Sequence, residues 1–138
     1  KATGVVANGT TSLFTIAGGR VMVTSLVGRV TTLIGSTASN CKLVYNPTAT
    51  GTSFDLCTAV AIETDAVEQT YYIAGSVASP GALLVGGAVG QANGVFSTPY
   101  ILQAGAIEQN LSADPVGGEI SWTLTYVPYD NGASLVAA

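Results

Sequence analysis

The stretch Gly118-Glu-Ile-Ser-Trp-Thr-Leu-Thr-Tyr-Val-Pro128 alternates two kinds of side chain for longer than any other segment of the chain. Ile120, Trp122, Leu124 and Tyr126 share one parity, and Glu119, Ser121, Thr123 and Thr125 share the other. Successive side chains of a strand point to opposite faces, so the pattern predicts a half-buried β-strand with one greasy and one hydroxyl-rich face. The only tryptophan, Trp122, stands near its middle. Its large apolar surface is expected to anchor a second sheet packed across it, with Leu124 beside it as the other core anchor.

Other strands are expected to collect around this one. Residues 1–8 have no clear period and end in the turn signal Asn8-Gly9, which suits an arm or a loosely held strand. In Thr11–Ile16, Leu13 is out of step with Phe14 and Ile16, predicting a short strand with one fully buried end, after which Gly18-Gly19 reverses the chain. Arg20–Ile34 is nearly all β-branched or aliphatic on both parities, so both faces are expected to be covered over part of its length. Gly28 in its middle predicts a bulge, or a bend where the strand passes from one sheet to the other. Cys41–Asn46 and Ser53–Cys57 flank a threonine-rich tip around Thr50 and read as a hairpin. Cys41 and Cys57 stand roughly opposite each other across it, so a disulfide is geometrically conceivable; against it, without a bulge their parities put one thiol inside and the other outside.

Thr58–Thr70 holds Glu63, Asp65 and Glu68 and suits either a strand plus loop or one short helix. Tyr71–Ile73 and Ala82–Val85 are expected strands, Gly86–Gly94 has no predictable structure, and Pro99 demotes Val95–Leu102 to an edge strand or two short pieces. Ala106–Leu111 and the Trp122 strand, joined by a turn over 112–118, are expected to pair as an antiparallel hairpin. Many short runs with Gly-rich turns and no amphipathic helical period predict an all-β chain. The expected fold is a single-domain, antiparallel, jelly-roll-like β-sandwich, with a β-barrel as second choice. Its parts are an N-terminal arm over 1–12, the sandwich over 13–128, and a tail over 129–138 packed on its own or a neighbouring subunit.

The chain has no histidine, which removes the usual general base of Ser and Cys hydrolases and the commonest zinc ligand. Two cysteines without a partner base are expected to be small buried side chains rather than nucleophiles. Paired carboxylates remain the only catalytic option, with Asp55, Glu63, Asp65, Glu68, Glu108 and Glu119 as candidates in no recognisable motif. Glu63, Asp65 and Glu68 could offer oxygens to Ca²⁺, but their spacing does not match an EF-hand loop, and a solvated acidic loop is the favoured reading. No catalytic, cofactor-binding or metal-ligating residue is assigned; the expectation is a non-enzyme without cofactor.

Charged residues make up only 9% of the 138-residue chain, against the roughly one quarter usual for an isolated domain, which favours a surface partly covered by neighbouring subunits. Net charge is −4, and Lys1, Arg20, Arg29 and Lys42 form no cluster, so direct nucleic-acid binding is not expected. Gly, Thr or Ser interrupts every apolar run before the roughly 20 residues of a membrane helix, so no membrane partner is expected.

Two blocks, Leu13-Phe-Thr-Ile-Ala-Gly-Gly-Arg-Val-Met-Val-Thr-Ser-Leu-Val-Gly28 and Ile120-Ser-Trp-Thr-Leu-Thr-Tyr-Val-Pro-Tyr-Asp-Asn-Gly-Ala133, resemble small proteins encoded among the virion structural genes of tailed bacteriophages. The region of Asn46-Pro47 and Asp55-Leu-Cys57 is similar but looser. The resemblance implies a virion component. Together with the low charge and apolar tail, it favours a capsid decoration (cement) protein on the outer capsid surface, bound to the major capsid protein as a homo-oligomer, a trimer. Contacts are then expected from the arm and the tail, through Val5, Val6, Leu135 and Val136. The alternative is a receptor- or glycan-binding β module of a tail tip or fibre, presenting Tyr45 and the tip around Thr50 to the host.

Overall fold

The computed structural model describes residues 1–49, 51–73, 81, 83–86 and 99–138. The expected hairpin apex at Thr50, the segment Gly87–Gly94 and the first part of the Val95–Leu102 run lie outside the described residues. Among the described residues twelve strands form in order: β1 (Ala2–Val5), β2 (Gly9–Ala17), β3 (Val21–Thr32), β4 (Asn40–Pro47), β5 (Phe54–Asp55), β6 (Val60–Ala61), β7 (Thr70–Ile73), β8 (Leu83–Gly86), β9 (Tyr100–Leu102), β10 (Gly105–Leu111), β11 (Glu119–Pro128) and β12 (Ser134–Ala137). No helix occurs among the described residues. All pairings are antiparallel, in two sheets. The first runs β1-β11-β3-β7-β8 with β9 also against β3, and the second runs β12-β2-β10-β4-β5 with β6 also against β4. The chain is thus an antiparallel β-sandwich.

Trp122 organises the interior as its position in the alternation predicts. It is fully buried, stacks on Tyr71 at 6.3 Å between ring centroids, and donates from Nε1 to Gln109 Oε1 at 2.7 Å. That hydrogen bond joins β11 of one sheet to β10 of the other, so the tryptophan bridges the two layers by packing and by a polar bond together. Leu124 is only partly buried against the core. Leu13, Phe14, Leu26, Leu43, Ile62, Ile107 and Ile120 are buried in the same core, each contributing about 1.5–3 kcal/mol by leaving water.

Two strands owe their irregular parity to bulges. In β2 the register jumps so that Phe14 faces Ile107 and Ser12 faces Glu108; Leu13 is the extra residue, and both Leu13 and Phe14 turn inward. In β3 the register against β11 skips Thr24 and Thr31. The first skip moves the buried positions from Val21 and Val23 to Leu26 and Val30, which explains aliphatic residues on both parities without covering both faces.

Gly28 has a different role from the one expected. It sits in regular register opposite both Trp122 and Tyr71, and β3 stays in one sheet. A Cβ there would stand 2.8 Å from Trp122 Cζ3 and 2.9 Å from Cη2, so glycine is present because the indole lies against the backbone.

A second correction concerns β10 and β11, which do not pair as a hairpin. β10 lies between β2 and β4, whereas β11 lies between β1 and β3, and the 112–118 connection crosses from one sheet to the other. Both strands bury one face and must therefore point those faces at each other, as the Trp122–Gln109 bond records. β4 and β5 do form the expected hairpin, with Tyr45 opposite Phe54. Past Asp55 the chain bends, so Leu56 and Cys57 are both buried and both thiols lie inside, contrary to the parity argument. The Thr58–Thr70 segment is a strand plus loop, and β9 starts directly after Pro99.

Candidate functional site

The ends of the chain, where contacts are expected, are built into the sandwich. β1 pairs with β11 and β12 pairs with β2, each at the margin of its sheet. Val5 and Val136 point outward, 56% and 59% exposed, but Val6 is only 3% exposed and belongs to the core. Val6 therefore cannot offer its side chain to a partner. Leu135 is partly buried against the core, and its N–H donates to Tyr126 Oη at 3.3 Å, tying the tail strand to β11.

Gln109 is a polar residue at a fully buried position that sequence reasoning did not single out. Its parity with Ile107 and Leu111, an amide on the apolar face, is the signal that marks it. Oε1 accepts from Trp122 and Nε2 donates to the Val5 carbonyl at 3.3 Å, so the amide is used at both ends. A Cβ on Gly4 would strike both the Gln109 amide and the Trp122 ring nitrogen. This close fit is why β1 seats as a strand rather than trailing as an arm.

The candidate carboxylates have structural partners. Lys42 Nζ donates to Asp55 at 2.9 Å, Arg29 to Glu68 at 2.7 Å, the Thr31 hydroxyl to Glu119 at 2.9 Å, and the Tyr71 hydroxyl to Asp65. Glu63 accepts from the Ser39 N–H and Glu108 from the Asn46 amide, both at 3.4 Å. Burial raises Asp65 above the ordinary carboxylate range against the lowering effect of the Tyr71 bond, and burial followed by the Asp65 contact raises Tyr71. Among the described residues, no enclosed pocket and no group of three metal-ligating side chains is found.

The tyrosines divide in the same way. Tyr45, Tyr71 and Tyr100 are core residues, and Tyr45 donates to the Gln103 carbonyl at 2.9 Å, so Tyr45 is not available to a host glycan. Tyr129 is exposed beneath Arg20, whose guanidinium lies 4.9 Å from the ring centroid.

Arg20 also grips Asp130 through its backbone N–H, Nε and Nη2 at 2.8–2.9 Å, closing the turn that leads into β12. The side-chain bond to Arg20 holds Asp130 below its ordinary value of 3.8. The pair therefore contributes its full stabilisation above about pH 3.8 and loses it as pH falls through the lower folded value. Asp130→Asn is expected to lower the melting temperature at pH 7 while leaving wild type and variant alike in strong acid. A constant difference across a pH series of thermal melts would refute this.

The cysteines are free and buried. The Leu43 N–H donates to Cys57 Sγ at 3.2 Å, and burial pushes the Cys57 thiol up to about 11; Cys41 is raised by burial and by its neighbour Cys57. At pH 8 a thiol with a value of about 11 is roughly one thousandth thiolate. Iodoacetamide is expected to label neither cysteine in the folded protein except at the rate of unfolding, and both promptly in urea. Fast native-state labelling, followed by mass spectrometry, would contradict that burial.

No known protein family, curated protein or solved structure matches the chain.

Proposed function

We propose that the chain is a structural component of a tailed-bacteriophage virion, most concretely a capsid decoration protein that adheres to the outer shell and stabilises contacts between major-capsid subunits. The observation that supports this reading is the make-up of the two marginal strands. β1 and β12 end their sheets with no further strand beyond them among the described residues, and neither Ala-Thr-Gly-Val nor Ser-Leu-Val-Ala carries a charge or a proline. Strands left permanently at a sheet margin in water are usually guarded by such residues. Their lack here, with Val5 and Val136 exposed on them, suits strands covered by other subunits. The mechanism is adhesion: many weak apolar and hydroxyl-mediated contacts, repeated on a symmetric shell, add up to tight binding without chemistry. A homotrimer at the local threefold positions is the arrangement we favour.

The test is co-sedimentation of purified protein with expanded, undecorated shells of the encoding phage. Saturable binding that raises the shell's melting temperature is expected. Binding to host cells or glycans with none to shells would favour a tail-tip adhesin instead, and turnover of a sugar substrate would end the structural reading.

A further inference from the structure

The exposed aliphatic residues are not scattered evenly, and neither is the charge. Among the described residues, the exposed Leu33, Val67 and Val116, with Val5, lie at one end of the sandwich, near the C-terminal end of β3. The backbone records the gathering. Ile34 N–H donates to the Asp65 carbonyl, Glu68 N–H to the Val30 carbonyl and Gly35 N–H to the Gly117 carbonyl, while Glu119 is in register with both Thr32 and Val5. Val116, the most exposed of the four at 77%, is displayed by a loop whose own N–H is capped by Asp114 at 2.8 Å.

The same end holds Glu63, Asp65, Glu68, Asp114 and Glu119, with Arg29 as its one cation. The remaining acids, Asp55, Glu108 and Asp130, are matched in number by Lys1, Arg20 and Lys42, two of them in direct ion pairs. The five acids less Arg29 therefore account for the whole net charge of −4 at one pole of the molecule. Aliphatic side chains set among charges predominantly of one sign have the make-up of an interface with an apolar centre and a polar rim.

From the apolar patch and the sign of its rim we infer that this pole docks on a basic protein surface with apolar recesses. Charge selects the occupant. A second copy placed pole to pole would oppose two sets of like charges, and an anionic membrane would repel the same rim, whereas a lysine- or arginine-rich protein face is attracted over the distance salt permits. The other exposed large hydrophobics among the described residues, Ile101, Val127, Tyr129 and Val136, have no comparable excess charge near them and select nothing. The inference deepens the proposed function by naming the face and the chemistry of its partner; it rests on that reading only where a shell is the partner.

The test has two arms. In the first, fluorescence anisotropy compares a short labelled peptide alternating lysine with leucine against one alternating glutamate with leucine. The intact chain is expected to bind the lysine peptide only, to lose affinity as NaCl rises, and to lose about tenfold, or about 1.4 kcal/mol, in the Leu33→Ser/Val116→Ser variant but not in Ile101→Ser/Val127→Ser. Equal binding of both peptides, an unaffected patch variant, or sedimentation showing a dimer abolished by the patch substitutions would overturn the inference. In the second arm the same variants are tested on undecorated shells. Peptide binding through the patch with no shell binding would remove the virion reading and leave the face standing. Shell binding untouched by the patch substitutions, with no patch-dependent peptide binding, would do the reverse.

Discussion

Replacing Trp122 by alanine is expected to lower the unfolding free energy by about 3–5 kcal/mol, at the upper end for a single core truncation. Three losses coincide. The cavity opens between the sheets, where the indole stacks on Tyr71 and lies against Gly28. The apolar surface of the largest buried side chain returns to water. Gln109 Oε1 is left without its donor in a dry interior, which by itself costs about 1–3 kcal/mol. A cycle separates the polar part. Trp122→Phe orphans the amide and Gln109→Leu orphans the indole N–H, but the double variant removes both partners and is expected to cost less than the two singles together. Because Gln109 Nε2 also holds the Val5 carbonyl, the two members of the cycle that lack Gln109 should speed proteolysis before Gly9. Equilibrium urea unfolding followed by far-UV circular dichroism measures these terms. A loss under about 1 kcal/mol for Trp122→Ala, or strict additivity in the cycle, would mean that the tryptophan does not join the sheets.

Where strands are regular, the sequence is legible residue by residue. Cys41, Leu43 and Tyr45 on β4, and Ile120 and Trp122 on β11, are buried as their parity requires. It ceases to be legible where an extra residue resets parity: Leu13 beside Phe14, and the aliphatic residues on both parities of β3, record a slip whose cause is visible only in the pairing. The seven residues 112–118 could close a hairpin or cross between layers, and local turn chemistry favours neither. What decides is that β10 and β11 each have one apolar face to bury. The charged pole is further from view. Glu63 is remote in sequence from Asp114 and Glu119, and they share a neighbourhood only because the end of β3 is flanked by the 65–69 loop on one side and residues 117–119 on the other. Val5 and Val6 look equivalent in the chain; one is exposed and the other is core because adjacent residues of extended chain face opposite ways.

Gly35→Ala is expected to be the costliest glycine substitution at the charged pole, at about 3 kcal/mol, although its backbone φ lies outside the left-handed region. The reason is what stands opposite. An added Cβ would strike the Pro115 carbonyl oxygen and come within 2.6 Å of the Val116 oxygen. These are backbone atoms, which cannot rotate away as the end of a side chain can. The 112–118 loop would have to move, loosening the Gly35 N–H bond to the Gly117 carbonyl, and the two sheets are joined through that loop. Gly117 offers the contrast. Its φ is +102°, but no atom lies within 4 Å of an added Cβ, so Gly117→Ala should cost only its backbone strain, about 1–2 kcal/mol. The two substitutions also differ in function. Gly35→Ala displaces Val116 from the patch and should weaken lysine-peptide binding even at temperatures where the protein stays folded, whereas Gly117→Ala should leave the patch in place. If Gly117→Ala proved the more damaging of the two, in urea unfolding and in peptide binding alike, then close packing of residues 33–39 against 112–118 would not be what shapes this pole.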